Sequence, residues 1–164
     1  MSNYPLVSVC IPVYNGSEFI PSLLSSIQSF NYPNLEIIIS DDNSEDETLN
    51  LLKAAKASNW RIFTHPRYGL VPNWNYCISQ AKGKYIKFLF QDDFLTPECI
   101  TKMVELAEND EEIGLVFTPR DLLYEETVDL KFLRGMEDLH KHWFALESIQ
   151  SGLNLLQDRN FFKP

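Results

Sequence analysis

Glycine is scarce where a phosphate-binding loop would need it. The turn after the first apolar run reads Tyr14-Asn15-Gly16-Ser17-Glu18-Phe19, with one glycine and an acid, so the G-x-G-x-x-G of a dinucleotide site is missing. No G-x-x-x-x-G-K-[ST] loop occurs either, which excludes a Walker-type phosphate cradle. Cysteine is equally sparse. Cys10, Cys77 and Cys99 have no C-x-x-C spacing and each lies in an apolar stretch, so they are expected to be reduced core residues of a cytosolic protein, not zinc ligands. Basic charge is in deficit: 14 Lys and Arg face 23 Asp and Glu, for a formal charge of −9. That balance argues against nucleic acid or an anionic membrane as the main partner, while leaving room for a local phosphate site. Long apolar runs are also lacking. The first, in "MSNYPLVSVCIPVYNG", has no basic leader and is broken by Pro12 and Asn15, so neither a signal peptide nor a membrane span is expected.

What the sequence does have is alternation. With 164 residues, 45% of them hydrophobic, the chain can bury one core of ordinary domain size. Leu6–Val13 is a β-branched run, and Ser17 is placed to cap a helix whose first turn tolerates Pro21. Leu35–Ser40 is a second strand; Ser44 and Glu47 have the spacing of a capping box for a helix to about Ala57. Trp60–Thr64 predicts a third strand, and Pro72 suits the first turn of a helix that continues to Ala81 and stops at Gly83. Tyr85–Phe90, apolar except for Lys87, predicts a buried fourth strand, and Thr96-Pro97 opens a helix to Glu108. Such units predict an α/β fold with a mostly parallel central sheet and helices on both faces.

Ligands of such sheets bind outside the carboxyl ends of the strands. Those ends carry Tyr14-Asn15-Gly16, Asp41-Asp42-Asn43-Ser44, His65-Pro66-Arg67 and Gln91-Asp92-Asp93. Any one loop could be polar for solvation alone. Two separate Asp-Asp pairs on one edge need more, because adjacent carboxylates repel unless a metal ion, a basic partner or open water relieves them. With no glycine cradle, the composition suits a nucleotide held by side chains: an aromatic against the base, and acids that hold Mg²⁺ or Mn²⁺ on a diphosphate.

Three stretches, "VSVCIPVYNG" (7–16), "EIIISDDNSEDET" (36–48) and "AKGKYIKFLFQDDFLTP" (81–97), resemble in order and spacing the N-terminal half of a family 2 glycosyltransferase with the GT-A fold. The resemblance covers Pro5 to Thr118. It implies transfer of a sugar, usually with inversion, from a nucleotide-diphosphate donor to a glycan, lipid or protein acceptor, as in polysaccharide biosynthesis. Pro12 and Tyr14 would line the base pocket and Asp42 would face the base, as a strand-end carboxylate with few core contacts. The binding set is then Pro12, Val13, Tyr14 and Asn15 after the first strand; Asp41, Asp42 and Ser44 after the second; Arg67, Gly69 and Asn75 after the third; and Gln91 after the fourth. Asp92 would be the metal-binding acid, with Asp93 beside it, for Mg²⁺ or Mn²⁺.

Two positions depart from the family pattern. Phe90 stands where the first acid of the D-x-D-type motif is expected, and Trp74 where G-x-x-x-A-R-N has arginine, a charge that Arg67 is assigned to replace. The expected organisation is a donor-binding core over 1–118 and the start of an acceptor-side region over 119–164, apparently truncated, with the general base beyond Pro164. Glu125, Glu126, Glu137 and Asp138 read as solvated acids, and His140 and His142 as surface histidines. Phe88, Phe90, Phe94 and Phe117 are expected in the core. A homodimer or a peripheral membrane association of a cytoplasmic protein fits this reading. Two other function classes stay open: a non-catalytic nucleotide-sugar-binding module, and a nucleotidyltransferase, which ranks last because its glycine-rich N-terminal loop is absent.

Overall fold

The structure, a computed structural model, describes residues 4–118. The chain divides into two compact units, Met1–Leu106 and Ala107–Pro164, and the architecture below is that of the first. Strands and helices alternate: β1 (Val7–Val13), α1 (Ile20–Ser29), β2 (Leu35–Asp41), α2 (Thr48–Ala55), β3 (Trp60–Thr64), α3 (Leu70–Gln80), β4 (Tyr85–Phe88) and α4 (Cys99–Ala107). The four strands form one sheet in the order β3-β2-β1-β4, and every pair is parallel. The chain therefore steps outward from β1 to β3 and then crosses back to the far side of β1.

Right-handed crossovers put connections that run in opposite directions on opposite faces of a sheet, and the buried side chains sort accordingly. Val7, Val9, Ile11 and Val13 of β1 and Ile37 and Ile39 of β2 pack with Ile20, Leu23 and Ile27 of α1, Leu52 of α2, and Ile100 and Val104 of α4. The alternate residues Cys10 and Ile38 meet Cys77 of α3, flanked by Phe63, Ala81 and Phe88. All seven residues of β1 are buried, which is why its sequence is apolar at every position but Ser8 rather than alternating. Full burial of each such aliphatic side chain stabilises by about 1.5–3 kcal/mol. The three cysteines are free; Cys10 and Cys77 are buried and Cys99 is half-buried.

The ends of the elements depart from the sequence expectations for local reasons. Pro21 does sit in the first turn of α1, but Phe19 occupies the cap position and Ser17 makes no cap bond. The Ser44–Glu47 capping box does not form: α2 begins at Thr48, whose N–H is taken by Asp46 Oδ1 at 3.0 Å. Strand β4 ends at Phe88, two residues early, and is a half-covered edge of the described sheet, with Ile86 43% exposed. Leu89 N–H still reaches the Cys10 carbonyl at 3.0 Å. Phe94 and Phe117, expected in the core, are 55% and 37% exposed. Phe88 and Phe90 are half-buried.

Helix α3 stops at Gln80, before Gly83, because Ala81 is extended. Gly83 has a different task. At the amino ends of the strands, Ser8 Oγ donates to Glu36 Oε1 (2.6 Å), and Glu36 also accepts Lys82 N–H (2.7 Å) and pairs with Arg61 (2.9 Å). Burial opposes ionisation of Glu36, but these partners together hold its carboxyl below the usual range. Gly83 N–H donates to Ser8 Oγ at 2.8 Å, and a Cβ on Gly83 would meet Ser8 N at 2.6 Å and the Leu6 carbonyl at 2.8 Å. Because these neighbours are largely backbone, they cannot swing aside. Gly83→Ala is expected to destabilise the protein by about 1–3 kcal/mol, measured by urea denaturation.

Candidate nucleotide site

The crossing back of the chain makes the crevice between the carboxyl ends of β1 and β4 the point where strand order reverses, the usual ligand position in open α/β sheets. A side-chain amide spans it. Gln91 Oε1 accepts the Tyr14 N–H at 2.9 Å, and Gln91 Nε2 donates to the Tyr14 carbonyl at 3.2 Å. The amide thus continues the ladder beyond the last paired residues. Its room comes from Gly16, where a Cβ would lie 2.5 Å from Gln91 Cδ.

The loops after β1 and β2 are laced in the same way. Asn15, in the left-handed region at φ 42°, donates its N–H to Ser44 Oγ (3.0 Å) and accepts Glu45 N–H on Oδ1 (2.8 Å). Gly16 N–H donates to Thr48 Oγ1 at 2.8 Å, and Asp46 takes the N–H groups of Ser17 and Thr48, each at 3.0 Å. Burial would raise the Asp46 pKa, yet the Thr48 hydroxyl and these N–H groups outweigh it and hold the carboxyl well below the ordinary range.

Asp42 is more enclosed than its strand-end position suggests. It is 3% exposed, its Oδ1 accepts Tyr68 N–H at 2.6 Å and its Oδ2 accepts Gly69 N–H at 2.9 Å. Gly69, at φ 87°, caps α3, so the carboxylate also sits at the positive end of that helix. The expectation of few core contacts is therefore corrected. His65, 8% exposed, lies against Asp42 with Nδ1 3.5 Å from Oδ1, and stacks on Tyr68 with ring centroids 4.3 Å apart. Asn73 on α3 joins them, donating to the carbonyls of Val13 (3.4 Å) and Ser40 (3.1 Å).

The expected site residues thus separate into three groups. Pro12 and Val13 are buried within β1, and Asp41 is fully buried, taking Ser44 N–H at 3.2 Å. Asn15, Asp42, Ser44, Gly69 and Gln91 tie the loops together. Tyr14, Arg67, Asp92 and Asp93 remain at the surface of the edge: Tyr14 is half-buried and the other three are exposed, and the Arg67 guanidinium lies 4.0 Å over the Tyr14 ring. Asn75 is exposed on α3, and the polar role on that helix falls to Asn73. Sequence reasoning missed Asn73, Asp46 and Thr48 as parts of the site, and put His65 on the edge without a role. Asn73 had a signal, since it is four residues before Cys77 and so shares its buried helix face.

The two departures from the family pattern meet in space. The Trp74 ring lies 5.0 Å from Phe90 and 6.1 Å from Phe88, and Phe90 lies 5.8 Å from Phe88. An aromatic cluster occupies the positions where a base and an acid were expected. For a cation, the described residues hold no group of three or more His, Cys, Asp or Glu. Asp92 and Asp93 are adjacent and exposed; a hard divalent cation whose shell is completed by phosphate oxygens and water needs one or two protein carboxylates.

Comparison with solved structures defines the class first. S. aureus TarS 1-349 in complex with UDP-GlcNAc superposes with a TM-score of 0.59 at 25% identity, over 63% of this chain and 31% of that one. Mannosyltransferase PcManGT from Pyrobaculum calidifontis, in complex with GDP-Man and Mn²⁺, shares the fold at 23% identity with a TM-score of 0.64, over 73% of this chain and 38% of that one. The fold is the α/β architecture of the GT-A glycosyltransferases. The chain belongs to the family described as Glycosyl transferase family 2, matching it over residues 8–156. It is also 32% identical to the hyaluronan synthase of Pasteurella multocida over 120 residues, 72% of this chain and 12% of that protein. The chain spans between 12% and 52% of the length of such curated relatives. The match to residue 156 runs past Thr118. Glu125, Glu126, Glu137, Asp138, His140 and His142 fall within that stretch and outside the described residues.

Two outcomes are expected. Asp42→Ala leaves the Tyr68 and Gly69 N–H groups unpaired and is expected to cost about 1.5–3 kcal/mol of stability, read from urea unfolding without ligand; an unchanged midpoint would show that the turn holds without it. A carboxyl whose pKa is depressed on folding stabilises the fold above its unfolded value, near 4, and that stability fades as pH falls. Asp46→Ala is accordingly expected to lose about 1 kcal/mol at neutral pH, with the gap to the parent narrowing in denaturation curves below about pH 4.

Proposed function

We propose that this chain binds a nucleotide-diphosphate sugar at the β1–β4 crevice, as the donor-binding part of a metal-dependent, inverting glycosyltransferase. The observation that carries the reading is the Gln91–Tyr14 amide pair. It fixes the loop bearing Asp92 and Asp93 against the loop bearing Tyr14, so aromatic, guanidinium and carboxylate groups share one edge. The Tyr14 ring offers a stacking face to the base, and Arg67 places positive charge above it. Asp42 and Gly69 shape the turn beside the base. Asp92 and Asp93 would hold Mg²⁺ or Mn²⁺, which when bound neutralises charge on the diphosphate leaving group. Family membership and the UDP-GlcNAc complex of TarS support a nucleotide-sugar donor. Base and sugar identity rest on contacts beyond these, and the acceptor is a glycan, lipid or protein. Among the described residues no helix is long and apolar enough to cross a membrane.

A second reading is favoured by one observation, the Trp74–Phe90 contact in place of the charged pattern: the same pocket would bind the donor without transfer. Thermal-shift titration with UDP, GDP and dTDP, each with Mn²⁺ or chelator, tests the binding, and donor hydrolysis or transfer separates the two readings. A diphosphate is expected to bind more tightly with Mn²⁺, and a nucleoside with no metal dependence. Asp92→Asn should abolish the metal effect and Asp93→Asn should weaken it less. Equal diphosphate binding in chelator and in Mn²⁺ would remove the metal role, and no response to any nucleotide would overturn the reading.

A further inference from the structure

His65 is buried behind the edge just described, and that reading gives it no task. Its surroundings are nevertheless specific on both edges of the ring. Nδ1 lies 2.9 Å from the Pro66 carbonyl and 3.5 Å from Asp42 Oδ1, and both are acceptors. Nε2 lies 2.9 Å from Ser40 Oγ and 3.2 Å from Asn73 Oδ1. The Asn73 amide cannot be turned over, because its nitrogen already serves the carbonyls of Val13 and Ser40. Nδ1 faces two acceptors, the Pro66 carbonyl and the Asp42 carboxylate, and so calls for a proton; Nε2 faces the Asn73 carbonyl oxygen, also an acceptor, beside the Ser40 hydroxyl, which can donate or accept.

One face of the ring is stacked on Tyr68, with an interplanar angle of 9°, and Tyr76 lies 4.9 Å away. Tyr68 is 51% exposed, so an outward aromatic group rests on a buried one. The turn from His65 to Gly69 is then held at three points: the Pro66 carbonyl by Nδ1–H, the Tyr68 and Gly69 N–H groups by Asp42, and the Tyr68 ring by the imidazole. Arg67, between these anchors, is the residue that lies over Tyr14.

We propose that His65 is a positioning residue for the nucleotide site, whose Nδ1–H edge and ring face set the Asp42 carboxylate and the Arg67–Tyr68 turn in the conformation that meets the base. The inference rests on the nucleotide reading above and adds a residue that touches no ligand. Its Nδ1 edge, which faces the turn, governs binding. The Nε2 edge, which faces Ser40 and Asn73, serves the sheet.

The two edges can be removed separately. His65→Asn retains a donor near Nδ1, His65→Gln retains a polar group near Nε2, and both lose the same stacking on Tyr68. Calorimetry with UDP and with GDP in Mn²⁺, on the full chain, is expected to show His65→Asn within about three-fold of the parent and His65→Gln weaker by about ten-fold or more. Equal losses in the two variants, or the reverse order, would overturn the proposal, because a merely structural role does not distinguish the edges. If either variant fails to fold, ¹⁵N spectra of the imidazole in the parent decide: an Nδ1–H resonance that shifts on adding the nucleotide supports the role, and a ring that is unresponsive or carries no proton on Nδ1 overturns it. A parent that binds neither nucleotide overturns the donor-site reading and this inference with it, an outcome distinct from parent binding without a difference between the variants.

Discussion

Strand β1 is paired on both edges and buried on both faces, and the rest of the unit is positioned by that enclosure. A strand so placed cannot shift register without exposing a full row of aliphatic side chains to water or forcing them into the opposite core. Its carbonyls then become fixed reference points for the loops. Val13 O accepts Asp42 N–H at 3.0 Å and the Asn73 amide at 3.4 Å, and Cys10 O accepts Leu89 N–H at 3.0 Å. Through these bonds the ends of β2, α3 and β4 are placed relative to one strand.

Beyond the strand ends the backbone loses its ladder partners, and buried N–H and C=O groups must be satisfied some other way. Here side chains do it. Gln91 serves Tyr14, Ser44 serves Asn15, Thr48 serves Gly16, Asp46 serves Ser17, and Asp42 serves Tyr68 and Gly69. Much of the polar character that makes this edge look like a ligand site is thus consumed internally. The outward groups of this edge thus rest on a frame that is already ordered, the condition under which little ordering entropy is lost on binding a ligand.

Trp74 and Phe90, far apart in sequence, make one aromatic contact. Taken singly, each removes a charge from an expected motif. Their ring centroids lie 5.0 Å apart, so two apolar groups cover each other where a lone half-buried charge would need a partner.

The sequence by itself determined the alternation of strands and helices, the parallel sheet and the edge that carries the candidate site. Those follow from short-range periodicity and from the polar residues where apolar runs stop. It also carried the three motif stretches that resemble the family. Only the tertiary structure decided which polar residues at that edge are spent. Asp42 and Asp92 both follow apolar runs as the second member of a polar-acid or acid-acid pair, and nothing local distinguishes them. Asp42 is 3% exposed because the β3–α3 turn folds over it, whereas Asp92 follows the half-covered edge strand β4 and stays in solvent. Likewise His65, Asn73 and Ser40 are scattered over 34 positions of the chain (40 to 73), and only the packing of α3 across β1 and β2 brings them within hydrogen-bonding distance. Burial depends on what other segments arrive, which no window of local sequence contains.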